Sequence, residues 1–361
     1  MAVAAALYQA LALAAAIGFL RRSERRAGRR PPVSILKPVH GLDPRFYQAI
    51  RSHALQDYPL FEILFGVGDP ADPAIPEIRR LAAEFPEVPI RLIVSSRHAP
   101  NRKAAVLCDL AAEAQHPILL VNDSDIEVPA DYLRRVVAPL EDPAVGVVTC
   151  LYRGQARSLP GRMEALAIAT EFAPGVLVAP LMGVSEFALG STMAFRAADL
   201  KRAGGFEAIA EYLADDYQLS RRLCSLGSRV VIAKPVVTTH LPNAGWRNAW
   251  QHQVRWARTI RVSRLGGYLG MPVTMATLWA AALALAGRPW AAGILLALRL
   301  AAGLTVAVGV LGMRLGLVEF LLIPWRDLGG AAVWVAGLGG RTVLWRGQRL
   351  RISRDGKILH P

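Results

Sequence analysis

The residues Ala2 to Leu20, AVAAALYQALALAAAIGFL, carry no formal charge over 19 positions. A backbone in hydrocarbon must satisfy its own N–H and C=O groups, and a single segment can do so only as a helix. At 1.5 Å per residue the run crosses a hydrocarbon layer of ~30 Å. RRSERRAGRR follows at once, six Arg against one Glu, and basic flanks of a span stay in the cytoplasm. The basic residues come after the apolar run and none precede it, which predicts an uncleaved anchor rather than a removed signal. Residues 1–20 are thus expected to be a transmembrane anchor, with the N-terminus outside, and 21–32 an Arg-rich juxtamembrane linker.

A second apolar territory begins near Gly266. GGYLGMPVTMATLWAAALALAG is long enough to span, RPW turns the chain, and AAGILLALRLAAGLTVAVGVLGM returns, with Arg299 facing protein or snorkelling. LGLVEFLLIPWRDLGGAAVWVAGLGG is interrupted by Glu319, Pro324, Arg326 and Asp327, so it suits a broken span, a re-entrant segment or an interfacial helix. Residues 265–340 are assigned to transmembrane or interfacial helices. The tail, 341–361, has six basic residues and one Asp, which suits anionic lipid headgroups. The whole chain agrees with a membrane setting: 53% of its 361 residues are hydrophobic and its mean hydropathy is +0.31. Its net charge of +14 comes without a zinc-knuckle or RNA-recognition pattern, so no nucleic-acid partner is expected.

Between these territories, residues 33–264 suffice for one sizeable core. VSILKPV, FEILFGVGD, IRLIVSS and PILLVNDSD have strand character. RFYQAIRSHALQ, AIPEIRRLAAEF and NRKAAVLCDLAAEA have helix character, the last opened by Asn101. This βαβα succession predicts an α/β domain with a mostly parallel, open, Rossmann-like sheet. Ligands of such sheets bind beyond the carboxyl ends of the strands, where Asp69, Asn122, Asp123 and Asp125 fall. LLVNDSDIEV taken alone is also what a surface turn looks like. Yet carboxylates at i and i+2 share a face and repel unless a cation or polar ligand lies between them.

Lys37 ends the first strand, and Arg102 and Lys103 open a helix whose amides favour an anion. In EYLADDYQLSRRL, capping explains one of Asp215 and Asp216 but less easily both. WQHQVRWART places Arg255 and Trp256 on a helix with His252 one turn earlier; a basic helix lying on the bilayer has the same pattern. Cys108, Cys150 and Cys224 are odd in number and lack CxxC spacing, which fits free thiols in a reducing compartment.

VGD, NDSD, ADDY and HQVRW, in this order and followed by apolar spans, resemble the family-2-type fold-A glycosyltransferases. More narrowly, SILKPVHGLDP, DPADPAI, NRKAAVL, GSTMAFRAADLKRAGGF and LADDYQLSRRL resemble the ceramide glucosyltransferases and their bacterial relatives in hopanoid biosynthesis. The resemblance implies a fold-A catalytic domain flanked by transmembrane helices. Carried over by position, it implies that Asp69 holds the uracil end of a UDP-sugar and Asp123 lies by the ribose or sugar. Asp125 binds Mg²⁺ or Mn²⁺, Asp216 is the catalytic base, and Arg255 and Trp256 close over the diphosphate. His252 occupies a Gln or Arg position of the last motif, a departure from the pattern, and Lys103 belongs with the donor-binding set.

The expectation is an inverting, metal-dependent enzyme of the cell inner membrane, multi-pass, with its catalytic domain cytoplasmic. It moves N-acetylglucosamine or glucose from a UDP-sugar to a membrane lipid, a bacteriohopanetetrol-type hopanoid before a ceramide. A hard cation takes carboxylate and phosphate oxygens, and one base suffices for direct displacement. His240 is a further possible metal ligand, although a lone His after a strand is more often structural. The rival readings are a processive polysaccharide synthase, for which few C-terminal spans leave little room for a channel, and a non-enzymatic basic membrane scaffold, which leaves the acids at the strand ends unexplained.

Overall fold

The computed structural model describes residues 1–24, 28–243, 245–345 and 348–359; Arg25 and Arg26 of the expected linker lie outside them. The chain divides into two compact units, Glu24–Tyr152 with Ser185–His240, and Met1–Ser23 with Arg153–Val184 and Leu241–Pro361.

The first unit is built on an eight-stranded sheet. Its strands are β1 (Val33–Val39), β2 (Phe61–Val67), β3 (Ile90–Val94), β4 (Ile118–Val121), β5 (Ile126–Glu127), β6 (Val145–Gln155), β7 (Met193–Arg196) and β8 (Arg229–His240). The order is β3-β2-β1-β4-β7-β6-β8-β5. Every residue of β1, β2 and β4 is buried, as expected for apolar runs covered on both faces. The connecting helices Phe46–Ala54, Ile75–Glu84 and Arg102–Glu113 lie where the alternation placed them. Asn101 caps the last of these, accepting from the Ala104 N–H at 3.1 Å.

Side chains alternate across the sheet. Ile35, Ile63 and Phe65 pack with Ile50, Ile78 and Tyr132 on one face; Leu36, Leu64 and Leu119 pack with Leu107, Leu110 and Phe195 on the other. The β3-β2-β1-β4 half is parallel, which is the open sheet expected. β7 then pairs antiparallel with β4, Met193 opposite Val121, so β7 begins at the edge where β4 ends. This register brings the loop before β7 to the carboxyl edge.

The second unit gathers the apolar helices. Ala2–Arg21, Leu159–Met182 and Pro289–Val310 are long and apolar enough to cross a membrane; Leu265–Thr274 and Ala276–Leu285 form a pair bent by 50°. Leu317–Leu338 is one 22-residue helix with Pro324 inside it. Ala5 of the first helix packs with Ala276, Ala280, Ala292 and Leu295, and Ala12 packs with Val178 and Ala302. Small side chains let such helices approach closely, which accounts for the Ala-rich composition of the first. Beyond these helices β9 (Thr342–Trp345), β10 (Gln348–Ile352) and β11 (Ile358–Leu359) form a small antiparallel sheet.

Gly66 sets how closely the helix carrying Lys103 approaches β2. A Cβ there would lie 2.4 Å from Val106 Cγ1 and 3.0 Å from Leu110 Cδ2. Overpacking of this kind costs about 1–3 kcal/mol. Gly66→Ala is expected to lower the melting temperature of the purified chain by several degrees; an unchanged melting temperature would show that the helix is not fixed by this contact.

Candidate active site

Asp123, Lys103, Asp215 and Asp216 converge on one point of the first unit. Lys103 Nζ donates to Asp123 Oδ1 at 2.7 Å and pairs with Asp215 Oδ2 at 3.1 Å. The Gly190 N–H donates to Asp216 Oδ2 at 3.1 Å, and the Tyr217 N–H to Asp216 Oδ1 at 2.7 Å. A Cβ on Gly190 would lie 3.3 Å from Asp123 Oδ2, 3.4 Å from Asp216 Oδ2 and 3.6 Å from Lys103 Nζ. Gly190 therefore lets the chain pass within contact distance of three charged side chains. Asp215 and Asp216 occupy the first turn of the helix Asp215–Cys224, where the helix dipole favours negative charge.

The acids are unequal. Burial pushes the Asp216 carboxyl up to about 6, and the neighbouring Asp215 adds to the rise. Burial opposes the Lys103 ammonium, but Asp123 and Asp215 outweigh it and raise its proton affinity. Burial also lifts Asp125 to about 6, helped by Asp123 and moderated by a hydrogen bond from the Thr239 hydroxyl.

Beneath the acids the end of β4 is held by a buried polar network. Lys37 is fully buried; its Nζ donates to the Asp123 carbonyl at 3.1 Å and lies 3.4 Å from His53 Nε2. The Asn122 amide donates to the Ser191 carbonyl at 2.6 Å and to the Tyr132 hydroxyl at 2.9 Å. Burial lowers Lys37 to about 7, against the pull of Asp125 and Asp123. Ser124 Oγ donates to Asp43 Oδ2 at 2.5 Å. Sequence reasoning placed Lys37 at this edge but missed His53, Asp43, Gly190 and Thr239, which come from segments distant in sequence. A lone His or Gly carries no signal of such pairing.

Asp69 stands exposed past the end of β2, its Oδ1 accepting from the Ala71 N–H at 2.8 Å. It shares the carboxyl edge with the cluster, without a hydrogen bond to it. His240 Nε2 is 2.6 Å from Glu127 Oε2, so that nitrogen is already engaged. Among the described residues no three His, Cys, Asp or Glu side chains gather as metal ligands. Mg²⁺ and Mn²⁺ are commonly held by one or two carboxylates plus substrate phosphates, and half-buried Asp125, close enough to Asp123 to feel its charge, fits that donor set.

His252, Arg255 and Trp256 belong to the second unit, on the helix Trp246–Ser263. His252 Nδ1 lies 2.6 Å from Glu164 Oε1, and its ring is 4.8 Å from that of Trp256, which also meets Phe172 at 6.2 Å. Arg255 turns to another side of the helix, lining a groove of about 510 Å³ with Trp250, Val254, Arg258 and Arg349. Glu164 was not singled out from sequence; its 8% exposed carboxylate gives His252 a partner suited to an imidazole.

The family model for glycosyl transferase family 21 matches residues 1–358. The chain belongs to that family. Among curated proteins it is similar to ceramide glucosyltransferase 1 of Caenorhabditis elegans, 27% identical over 206 residues that make up 56% of this chain and 44% of that protein. It is also similar to the ceramide glucosyltransferase of Candida albicans, 32% identical over 121 residues, 30% of this chain and 22% of the relative. The matches span less than half the length of either relative. A solved structure, the mannosyltransferase PcManGT from Pyrobaculum calidifontis in complex with GDP-Man and Mn²⁺, superposes over 92% of this chain and 97% of its own, with a TM-score of 0.54 and 20% identity. That likeness shows the glycosyltransferase fold A in this family 21 chain.

The raised Asp216 gives the cluster a pH signature. A carboxyl with a folded pKa of about 6 against an ordinary 3.8 stabilises the fold fully below 3.8, and this contribution is lost as pH rises through about 6. Lys103→Met is therefore expected to cost about 2 kcal/mol at pH 8, the size of a hydrogen bond to a charged group at a partly exposed site, and clearly less at pH 5, where Asp216 is protonated. Thermal unfolding at the two pH values measures this. An equal loss at both would separate Lys103 from the acid cluster.

Proposed function

We propose that this family 21 chain transfers a hexose from a UDP-sugar to a hydroxyl of a membrane lipid, with inversion. The observation that carries the reading is the meeting of Asp123, Asp216 and Lys103 around Gly190 at the carboxyl edge of a fold-A sheet. Asp216 is the base: it takes the hydroxyl proton as the lipid oxygen bonds to the anomeric carbon, while the bond to UDP breaks and its electrons pass to the diphosphate. A base with a pKa near 6 is ionised at neutral pH yet still basic enough to help. Asp123, steadied by Lys103, lies by the ribose or sugar, and Asp69 holds the uracil end. The motif resemblance also assigns Arg255, Trp256 and His252 to the diphosphate. When bound to Asp125, Mg²⁺ or Mn²⁺ would supply charge neutralisation at the departing diphosphate.

The acceptor is a bacteriohopanetetrol-type hopanoid with an N-acetylglucosaminyl donor, or next a ceramide with glucose. The names of the curated relatives support a lipid acceptor, and the hopanoid preference rests on the motif resemblance. The protein lies in the inner membrane as a multi-pass enzyme, its catalytic part cytoplasmic beside the Arg-rich flank and its basic tail on anionic headgroups. Partly exposed Cys224 should then react with an impermeant thiol reagent in inverted vesicles and not in intact spheroplasts; the opposite pattern would reverse the orientation.

The test is purified chain, radiolabelled UDP-sugar and a lipid extract. A glycolipid is the expected product; a polymer or no turnover overturns the reading. In the same assay the rate should rise with pH to a plateau, with an apparent pKa of about 6. Asp216→Asn should keep donor affinity within about threefold while losing at least ~100-fold in transfer. Wild-type transfer by this variant would move the base to Asp215.

A further inference from the structure

The apolar helices of the second unit enclose two ion pairs of different character. Arg299 is 3% exposed and meets Asp327 through two bonds, Nε to Oδ2 at 2.9 Å and NH2 to Oδ1 at 2.5 Å. Thr277 Oγ1 also donates to Asp327, and Arg299 NH2 reaches Thr170 Oγ1 at 3.3 Å. This pair is satisfied from all sides. Its sequence neighbour Arg326, 7% exposed, faces Glu171 with NH2 3.0 Å from Oε2. That contact is ionic only: Glu171 Oε2 and Arg326 Nε are buried atoms with no hydrogen-bond partner. Such atoms cost free energy among apolar helices, where water does not readily substitute.

Three features mark this place as more than a packing fault. Glu171 lies in the π-helical turn Ile168–Phe172 that interrupts the apolar run Leu159–Met182, and such widened turns recur at functional sites. Its side chain is 23% exposed although Oε2 itself is buried, so a polar group arriving from outside meets Glu171 first and reaches Oε2 as the carboxylate turns. Opposite stands Gly330, where a Cβ would lie 3.0 and 3.1 Å from the two Glu171 oxygens and 3.2 Å from Arg326 NH1. Glycine keeps that approach clear.

We propose that Glu171 and Arg326 form a recognition site for a polar group of a lipid, a hydroxyl or a secondary amide. Such a group accepts from Arg326 Nε–H and donates to Glu171 Oε2, satisfying both atoms at once. The setting selects an amphipathic ligand, since an apolar body must follow the polar group among these helices. The inference rests on the proposed lipid acceptor, and it names the membrane-side contact that would discriminate among acceptors.

The test uses full-length chain in nanodiscs and measures dissociation constants for bacteriohopanetetrol and a short-chain ceramide, each against squalane, an apolar hydrocarbon with no polar group. Wild type is expected to prefer one polar probe over squalane by about tenfold or more, the worth of a hydrogen bond to a charged group. The paired variant Glu171→Leu with Arg326→Leu removes both charges together, so neither is left alone in the apolar interior, and its preference should fall to within about twofold. Gly330→Ala keeps both charges, narrows the approach, and should weaken the same preference. UDP binding should be unchanged in both variants, which separates a failure here from a failure of the donor-site reading. No preference in the wild type, or a preference that survives in the Leu pair, overturns the proposal.

Discussion

The candidate site depends on a single ammonium among three carboxylates. Without Lys103, the acids Asp123, Asp215 and Asp216 would crowd together with backbone N–H dipoles and the more distant Lys37 left to offset their repulsion. With it, Asp123 is directed by a 2.7 Å hydrogen bond, while Asp216 keeps the raised proton affinity that burial and Asp215 give it, only partly offset by Lys103. The cation fixes one acid as a contact, and burial leaves the other as a base. The sheet makes this possible: parallel strands end together at one edge, and antiparallel β7 starts where β4 stops.

Much of this edge was legible in the sequence because β1, β2 and β4 are apolar on both faces and end abruptly in polar residues. Within the core a strand acid needs partners, as Glu62 of β2 has in Ser34 and Arg91, and a run of acids belongs past the strand's end, so VGD and NDSD marked its limit. The helix bearing Lys103 announced itself by the Asn101 cap. The rest was hidden for a physical reason: its partners are distant in sequence. Gly190, Thr239 and Asp43 reach the acids only through pairing of β7 and β8 and the loop after β1, and no local periodicity encodes those contacts. The run Leu159–Met182, whose second half the sequence suggests only as an acceptor-side loop, is a helix that sequence reasoning did not find, for another reason. Its Pro, Gly and Glu residues break the apolar pattern, yet as a helix it is long and apolar enough to cross a membrane.

The apolar unit follows a different logic. There the Arg299–Asp327 pair joins the helices Pro289–Leu304 and Leu317–Leu338 through two hydrogen bonds, and buried charge of this kind is tolerated when it is paired and hydrogen-bonded. Arg326 and Glu171, one residue along on the same helix and on a neighbouring turn, lack that matching. The contrast between adjacent pairs makes the second informative.

The proposal that Asp125 receives a metal together with the nucleotide diphosphate at this edge is tested most directly by electron paramagnetic resonance of Mn²⁺ titrated into the purified chain. Tight binding is expected only when a UDP-sugar is present, because the protein offers few ligands of its own, and it should be lost in Asp125→Ala while the fold persists. Equal Mn²⁺ binding with and without the nucleotide sugar, or undiminished binding in Asp125→Ala, would contradict the account.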